Sequence, residues 1–332
     1  MNLDQIKSFF KNSKPLLVLV PLVVVIYLVW SYYINLDNPI FGVIPKPVIT
    51  NFISSKPTWD TNPLALPGLT KAGVYPVIKR GFTPEEASLL ANGLGFKEQP
   101  LFIAGTLLKW TSKAAEFSLN MTTGAVSYKN TDPSVVFSGR TSIDTNFLAQ
   151  RALDFINKLK LDTSTINTKS PTVNYYKAAP QSPQADPATQ ADANLIIITF
   201  KREIDGLPIT SNSGDEVITV SVNTKGEVIN FDGGNLEVEQ KNATYHLKSK
   251  QEAIDAVQKG EAKVVRYSDP TSDLTLPDPT KVIVNQAQVK LFDDGAGKYI
   301  EPIYVFNGLL VKNFVSVQAD VYLPAIASKY LQ

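Results

Sequence analysis

The chain has 332 residues, one histidine, no cysteine and a formal net charge of +1. That length exceeds the ~100–200 residues of an ordinary domain and has room for two or three, while the near-neutral charge removes the basic field that nucleic-acid binding needs. Without cysteine, disulfides, thiolate-bound zinc, iron–sulfur clusters and thiol nucleophiles are excluded. Any Ser-His-Asp triad depends on His246 alone, which lies just ahead of a predicted helix and reads as an ordinary strand or loop residue.

Residues 16–34 form an uncharged apolar run, LLVLVPLVVVIYLVWSYYI. As a helix it reaches roughly 29 Å, close to the thickness of a bilayer core. Pro21 is tolerable in such a span, and Trp30, Tyr32 and Tyr33 gather at its far end as an interfacial belt does. Lys7, Lys11 and Lys14 precede the run and only Lys46 closely follows it. The positive-inside rule then predicts a cytoplasmic tail at 1–14, a transmembrane helix at 15–34 and an exported remainder. The expectation is therefore a single-pass cell-membrane protein with the lipid bilayer as one partner. A cleaved signal peptide is the rival reading, but the run is long for one and aromatics stand where small residues are needed.

Residues 35–80 are proline-rich and read as an extended stalk carrying Trp59, a candidate partner contact. Helix signals follow at Thr83–Pro84 with Glu86, over 144–160, and at Ser249 with Glu252, two of them capping boxes. Between the helices the chain repeats itself. FSLNMTTGAVSYKN at 117–130 aligns with VSVNTKGEVINFDG at 220–233. In each, apolar residues alternate around a turn glycine, Gly124 or Gly226, that supplies positive φ. The stretches 178–194 and 268–280 read as polar Pro/Asp loops. The pattern predicts an α+β fold, two or three helix-plus-antiparallel-sheet units: 81–140, 141–248 with a mobile loop at 178–194, and 249–332 with a closing sheet.

FKREIDGLPI, ITVSVNTKGEVINF, LKSKQEAIDAVQKG and YIEPIYVF, in that order between 195 and 322, resemble PepSY-like domains of bacterial extracytoplasmic proteins. The likeness covers about 40% of the chain and is greatest to the membrane-anchored YycH/YycI-type regulators. The resemblance implies an exported α+β region that binds a membrane sensor kinase and does no catalysis.

Arg202, Glu203 and Asp205 are candidate partner contacts at a sheet rim, against the plainer reading of Asp205-Gly206 as a turn. Asp293, Asp294 and Glu301 have the chemistry for calcium but no EF-hand spacing, so turn solvation is the plainer reading. No G-x-S-x-G, S-x-x-K, H-E-x-x-H or P-loop pattern occurs in a fitting context. No enzyme activity, cofactor, metal or nucleic acid is expected, and a small-molecule ligand is not expected either. The function read from the sequence is a membrane protein whose exported domain binds and regulates or scaffolds another envelope protein. The alternative is a structural or polymer- or lipid-binding module of a cell-envelope assembly, with a carboxylate hydrolase behind both.

Overall fold

The computed structural model describes residues 25–26, 41–136, 144–179, 185–239, 243–267, 279–312 and 315–332. Strands β1 (Thr58–Asp60) and β2 (Lys71–Lys79) lead to helix α1 (Pro84–Gly93). A meander follows, β3 (Leu101–Ala104), β4 (Leu107–Thr111), β5 (Ala115–Asn120) and β6 (Ala125–Asn130), then helices α2 (Pro133–Val136) and α3 (Thr145–Lys158). Next come β7 (Thr172–Lys177), β8 (Asp186–Pro187), β9 (Leu195–Lys201), β10 (Glu203–Ile204), β11 (Leu207–Ser211) and β12 (Gly214–Asp215). The hairpin β13 (Val217–Asn223) and β14 (Val228–Gly234) precedes β15 (Glu237–Val238), β16 (Ala243–His246) and α4 (Lys250–Gln258). The chain closes with β17 (Lys263–Tyr267), β18 (Lys281–Phe292), β19 (Tyr299–Lys312) and β20 (Val315–Pro324).

These elements make an α+β fold of two sheets. The first runs β3-β4-β5-β6-β14-β13-β9-β7-β8. The two hairpins that repeat in the sequence are neighbours in it, because β6 pairs with β14 and sets Tyr128 opposite Phe231. Alternation decides its faces. One register row, Trp110–Phe117–Tyr128–Phe231–Val220–Ile198–Val173, points under the helices. There it packs with Ala87 and Leu90 of α1 and Leu148, Ala152 and Ile156 of α3. Phe117, Phe200 and Phe231 are fully buried, each contributing about 2–3 kcal/mol by area.

The second sheet is built on the long hairpin β18–β19, flanked by β20 and by the parallel partners β1 and β11. Alternate residues of β18, β19 and β20 bury Ala253, Ala256 and Val257 of α4 against Phe306 and Val321. The capping box of α4 is formed, Ser249 accepting from Glu252 N and Glu252 from Ser249 N; that of α1, on Thr83 and Glu86, is formed as well. Residues 71–79, placed in the stalk by their proline content, instead run within this sheet as β2, between β19 and the pair β15 and β16.

The expected membrane-spanning helix is corrected. Among the described residues no helix is long and apolar enough to cross a membrane. A span takes about 20 residues, and the longest described helix, α3, has 14. Of the predicted segment only Val25 and Ile26 are described, helical and exposed; Pro21, Trp30, Tyr32 and Tyr33 lie outside the described residues. The bilayer as partner, the signal anchor, the single-pass topology and the assigned sidedness of the termini are accordingly not carried further.

Candidate functional site: the junction cleft and the open sheet face

The chain crosses between the two sheets four times, and each crossing leaves a polar residue at the joint. Arg80 follows β2, Arg202 separates β9 from β10, Glu216 separates β12 from β13, and Asn235 follows β14. Main-chain bonds fix the crossings: Arg202 N donates to Glu216 O at 3.0 Å, Glu216 N to Ile209 O at 2.9 Å, and Asn235 N to Gly124 O at 3.0 Å. Together with Asp293, Asp294 and Asp232 these residues line a cleft of about 590 Å3.

Both arginines are held. Arg80 Nη2 donates to Asp293 Oδ1 at 2.5 Å and its Nη1 to Gly297 O at 2.8 Å. Arg202, 2% exposed, donates to the Thr165 hydroxyl at 2.5 Å and to the Gly234 carbonyl. Glu216 Oε2 lies 4.0 Å from Arg202 Nε. Burial pushes the Glu216 carboxyl up to about 7, and Asp293 adds to the rise against the opposing pull of Arg202 and Arg80. Asp215 is paired with Lys290 at 2.5 Å, and Asp294 accepts from the Ala296 and Gly297 amides. Among the described residues, five carboxyl groups, with Glu216 raised to about 7, face two guanidiniums and the Lys290 ammonium, which leaves the cleft weakly acidic.

The cleft opens onto the helix-free face of the first sheet. One register row crosses eight strands there: Leu101, Lys109, Ser118, Ser127, Asp232, Thr219, Thr199 and Thr172. Strands lie about 4.8 Å apart, so the row spans roughly 34 Å. Five of its members are hydroxyls, and its cationic end is tempered by the Lys109–Glu116 pair at 3.0 Å. A second hollow of about 360 Å3 lies over Lys109, Ser118 and Ser127, and Asp232 and Thr219 carry the row on into the cleft.

The structure separates the residues singled out from the sequence. Arg202 is inside the joint and not on a rim. Glu203 and Asp205 line a separate notch of about 410 Å3 with Tyr75, whose hydroxyl donates to Asp205 Oδ2 at 2.5 Å. Trp59 is half-buried against the second core and pairs with Val282. Gly124 and Gly226 sit at hairpin turns with φ of +72° and +80°. His246 is a strand residue opposite Lys71. Asp293 and Asp294 serve the Arg80 contact and the turn, while Glu301 is buried in β19 opposite Phe292. Among the described residues no group of three or more His, Asp or Glu side chains is placed to hold a metal. Sequence reasoning did not reach Arg80, Glu216 or the hydroxyl row; the alternate Ser and Thr of SLNMTTGAVS and ITVS were its available signal.

No family model and no curated protein matches the chain. Among solved structures, it is similar to the crystal structure of YycH from Bacillus subtilis, at 13% identity with a TM-score of 0.33 over 75% of this chain. The match takes in 52% of that protein, so the chain spans about half its length. At that identity and superposition, nothing about this chain's activity rests on the likeness.

Proposed function

We propose that the chain is a non-catalytic binding module for a polysaccharide that carries no negative charge, held along the open face of the first sheet and into the junction cleft. The hydroxyl row carries this reading. Hydroxyls donate and accept, and a regular array of them matches a polymer of repeating hydroxylated units. The excess of carboxylates in the cleft disfavours anionic polymers. Four of the five cleft acids are engaged by arginine, lysine or main-chain partners, which supports binding over hydrolysis.

Affinity electrophoresis of the full chain through gels containing neutral or anionic polysaccharides tests this. Retardation by a neutral polymer, weakened at least tenfold by Thr219→Val with Ser127→Ala, is expected. Passage through every neutral gel overturns the proposal, and release of new reducing ends from the polymer overturns its non-catalytic part. A second reading, strand addition by a protein partner, is favoured by edge strand β3, where Leu101, Phe102 and Ile103 are 61%, 68% and 56% exposed without a guarding charge.

A further inference from the structure

Beyond the turn that closes the cleft, the outer face of the second sheet carries another groove, of about 630 Å3. Its polar lining follows the register: Arg266 stands opposite Asp320, and Asp320 opposite Asn307. Asn285 lies in the bulge of β18 alongside, and Gln318 one residue pair further along β20. Arg266 donates to Asp320 Oδ2 from Nε at 3.1 Å and from Nη2 at 2.5 Å. Among the described residues, the two charged side chains lining this groove thus neutralise each other, and three planar amides with the Tyr267 hydroxyl make up the rest of its polar side chains.

Gly214 joins the two grooves. It lines the junction cleft, has φ of +112°, and a Cβ added to it would fall 2.6 Å from Arg266 Nη1. The guanidinium therefore rests against the main chain where the cleft ends and the amide groove begins, at a residue whose positive φ favours glycine.

We propose that the polysaccharide path continues over the Gly214–Arg266 contact into the amide groove, giving one track for a neutral polymer across both sheets. The proposal rests on the function proposed above. An amide presents a donor and an acceptor on one planar head, and neighbouring sugar hydroxyls present the same pair in return. Among the described residues lining the groove there is no cation besides the paired Arg266 to hold an anionic chain. It lies on a sheet face, where no free main chain is offered to an extended peptide.

Two joined grooves make affinity depend on ligand length, because occupying the first turns binding at the second into an intramolecular step. The test is calorimetric titration of the full chain with neutral glucose and N-acetylglucosamine oligomers of graded length. Short oligomers are expected to bind two per chain, long ones one per chain with an affinity higher by at least tenfold. Asn307→Leu should reduce the short-oligomer stoichiometry to one and abolish the gain with length; Asn285→Leu serves if that variant fails to fold. A gain with length that survives both substitutions, or short-oligomer binding with no gain at all, overturns the track and leaves the function standing. Absence of binding at every length overturns both.

Discussion

Arg80 and Asp293 lie 2.5 Å apart, their side chains 13% and 5% exposed, and they tie the end of β2 to the turn after β18. A buried pair is costly to break because one charge is left without its partner. Arg80→Met alone should lower stability by about 3–5 kcal/mol, and Asp293→Leu alone by a similar amount. The double variant should recover much of the loss. Denaturant midpoints of the four proteins check this, and additive losses would deny the coupling.

Glu301 is 4% exposed in β19 and its Oε2 has no hydrogen-bond partner among the described residues. Burial, with Asp294 adding, pushes its carboxyl from 4.5 up to about 8. The native state therefore keeps a proton that the unfolded chain sheds above about pH 4.5, so stability falls as pH rises toward 8 and levels off beyond. At about 1.4 kcal/mol per unit the full loss is roughly 4–5 kcal/mol. Glu301→Gln should remove this slope and exceed the parent in stability at pH 8, which thermal melts across pH would read.

Lys248 acts in the opposite sense. It is 2% exposed, donates to Pro324 O at 2.9 Å and Ile326 O at 2.6 Å, and burial pushes its ammonium down to about 8. Between about 8 and 10.5 the unfolded chain holds the extra proton, so stability rises with pH there. The two groups together predict a stability minimum near pH 8. Lys248→Met should flatten the alkaline limb alone, and a parent profile without a minimum would refute the assignment.

Gly124 meets two constraints at once. Its φ is +72°, and a Cβ would stand 2.0 Å from the Arg80 carbonyl oxygen. Gly206 has φ of +76° with nothing within 4 Å. Gly206→Ala should cost about 1–2 kcal/mol for the backbone alone. Gly124→Ala should cost more, because the chain leaving β2 must also move. Equal losses in urea titrations would mean the approach relaxes freely.

Asp232 stands in the middle of the hydroxyl row, opposite Ser127 and Thr219. On the proposed function its negative charge disfavours anionic polymers, while an amide in its place keeps a hydrogen-bonding head for neutral ones. Asp232→Asn should leave neutral oligosaccharide affinity within about twofold and improve the binding of anionic polysaccharides at low salt, where charge repulsion is least screened. Unchanged rejection of anionic polymers would place the discrimination elsewhere in the cleft.

Local pattern was enough for much of this fold. The capping residues Thr83 and Ser249, the turns at Gly124 and Gly226, and the alternation in ITVSVN depend on spacings of a few residues, which the sequence displays directly. Trp110 lies in the core because alternate residues of β4 are buried. What the sequence did not determine is where the chain crosses from one sheet to the other. Residues 71–79 carry a proline and a glycine, yet form β2, because β15, β16 and β19 supply pairing from more than 150 positions away. Arg202 is charged and so reads as exposed, but Thr165, Gly234 and Glu216, brought from three separate segments, satisfy it inside the joint. The hydroxyl row exists only once registry aligns single serines and threonines from different strands. Side-chain type and short-range spacing are properties of the chain; the partner that offsets a buried charge, and the face on which a row assembles, are properties of long-range pairing.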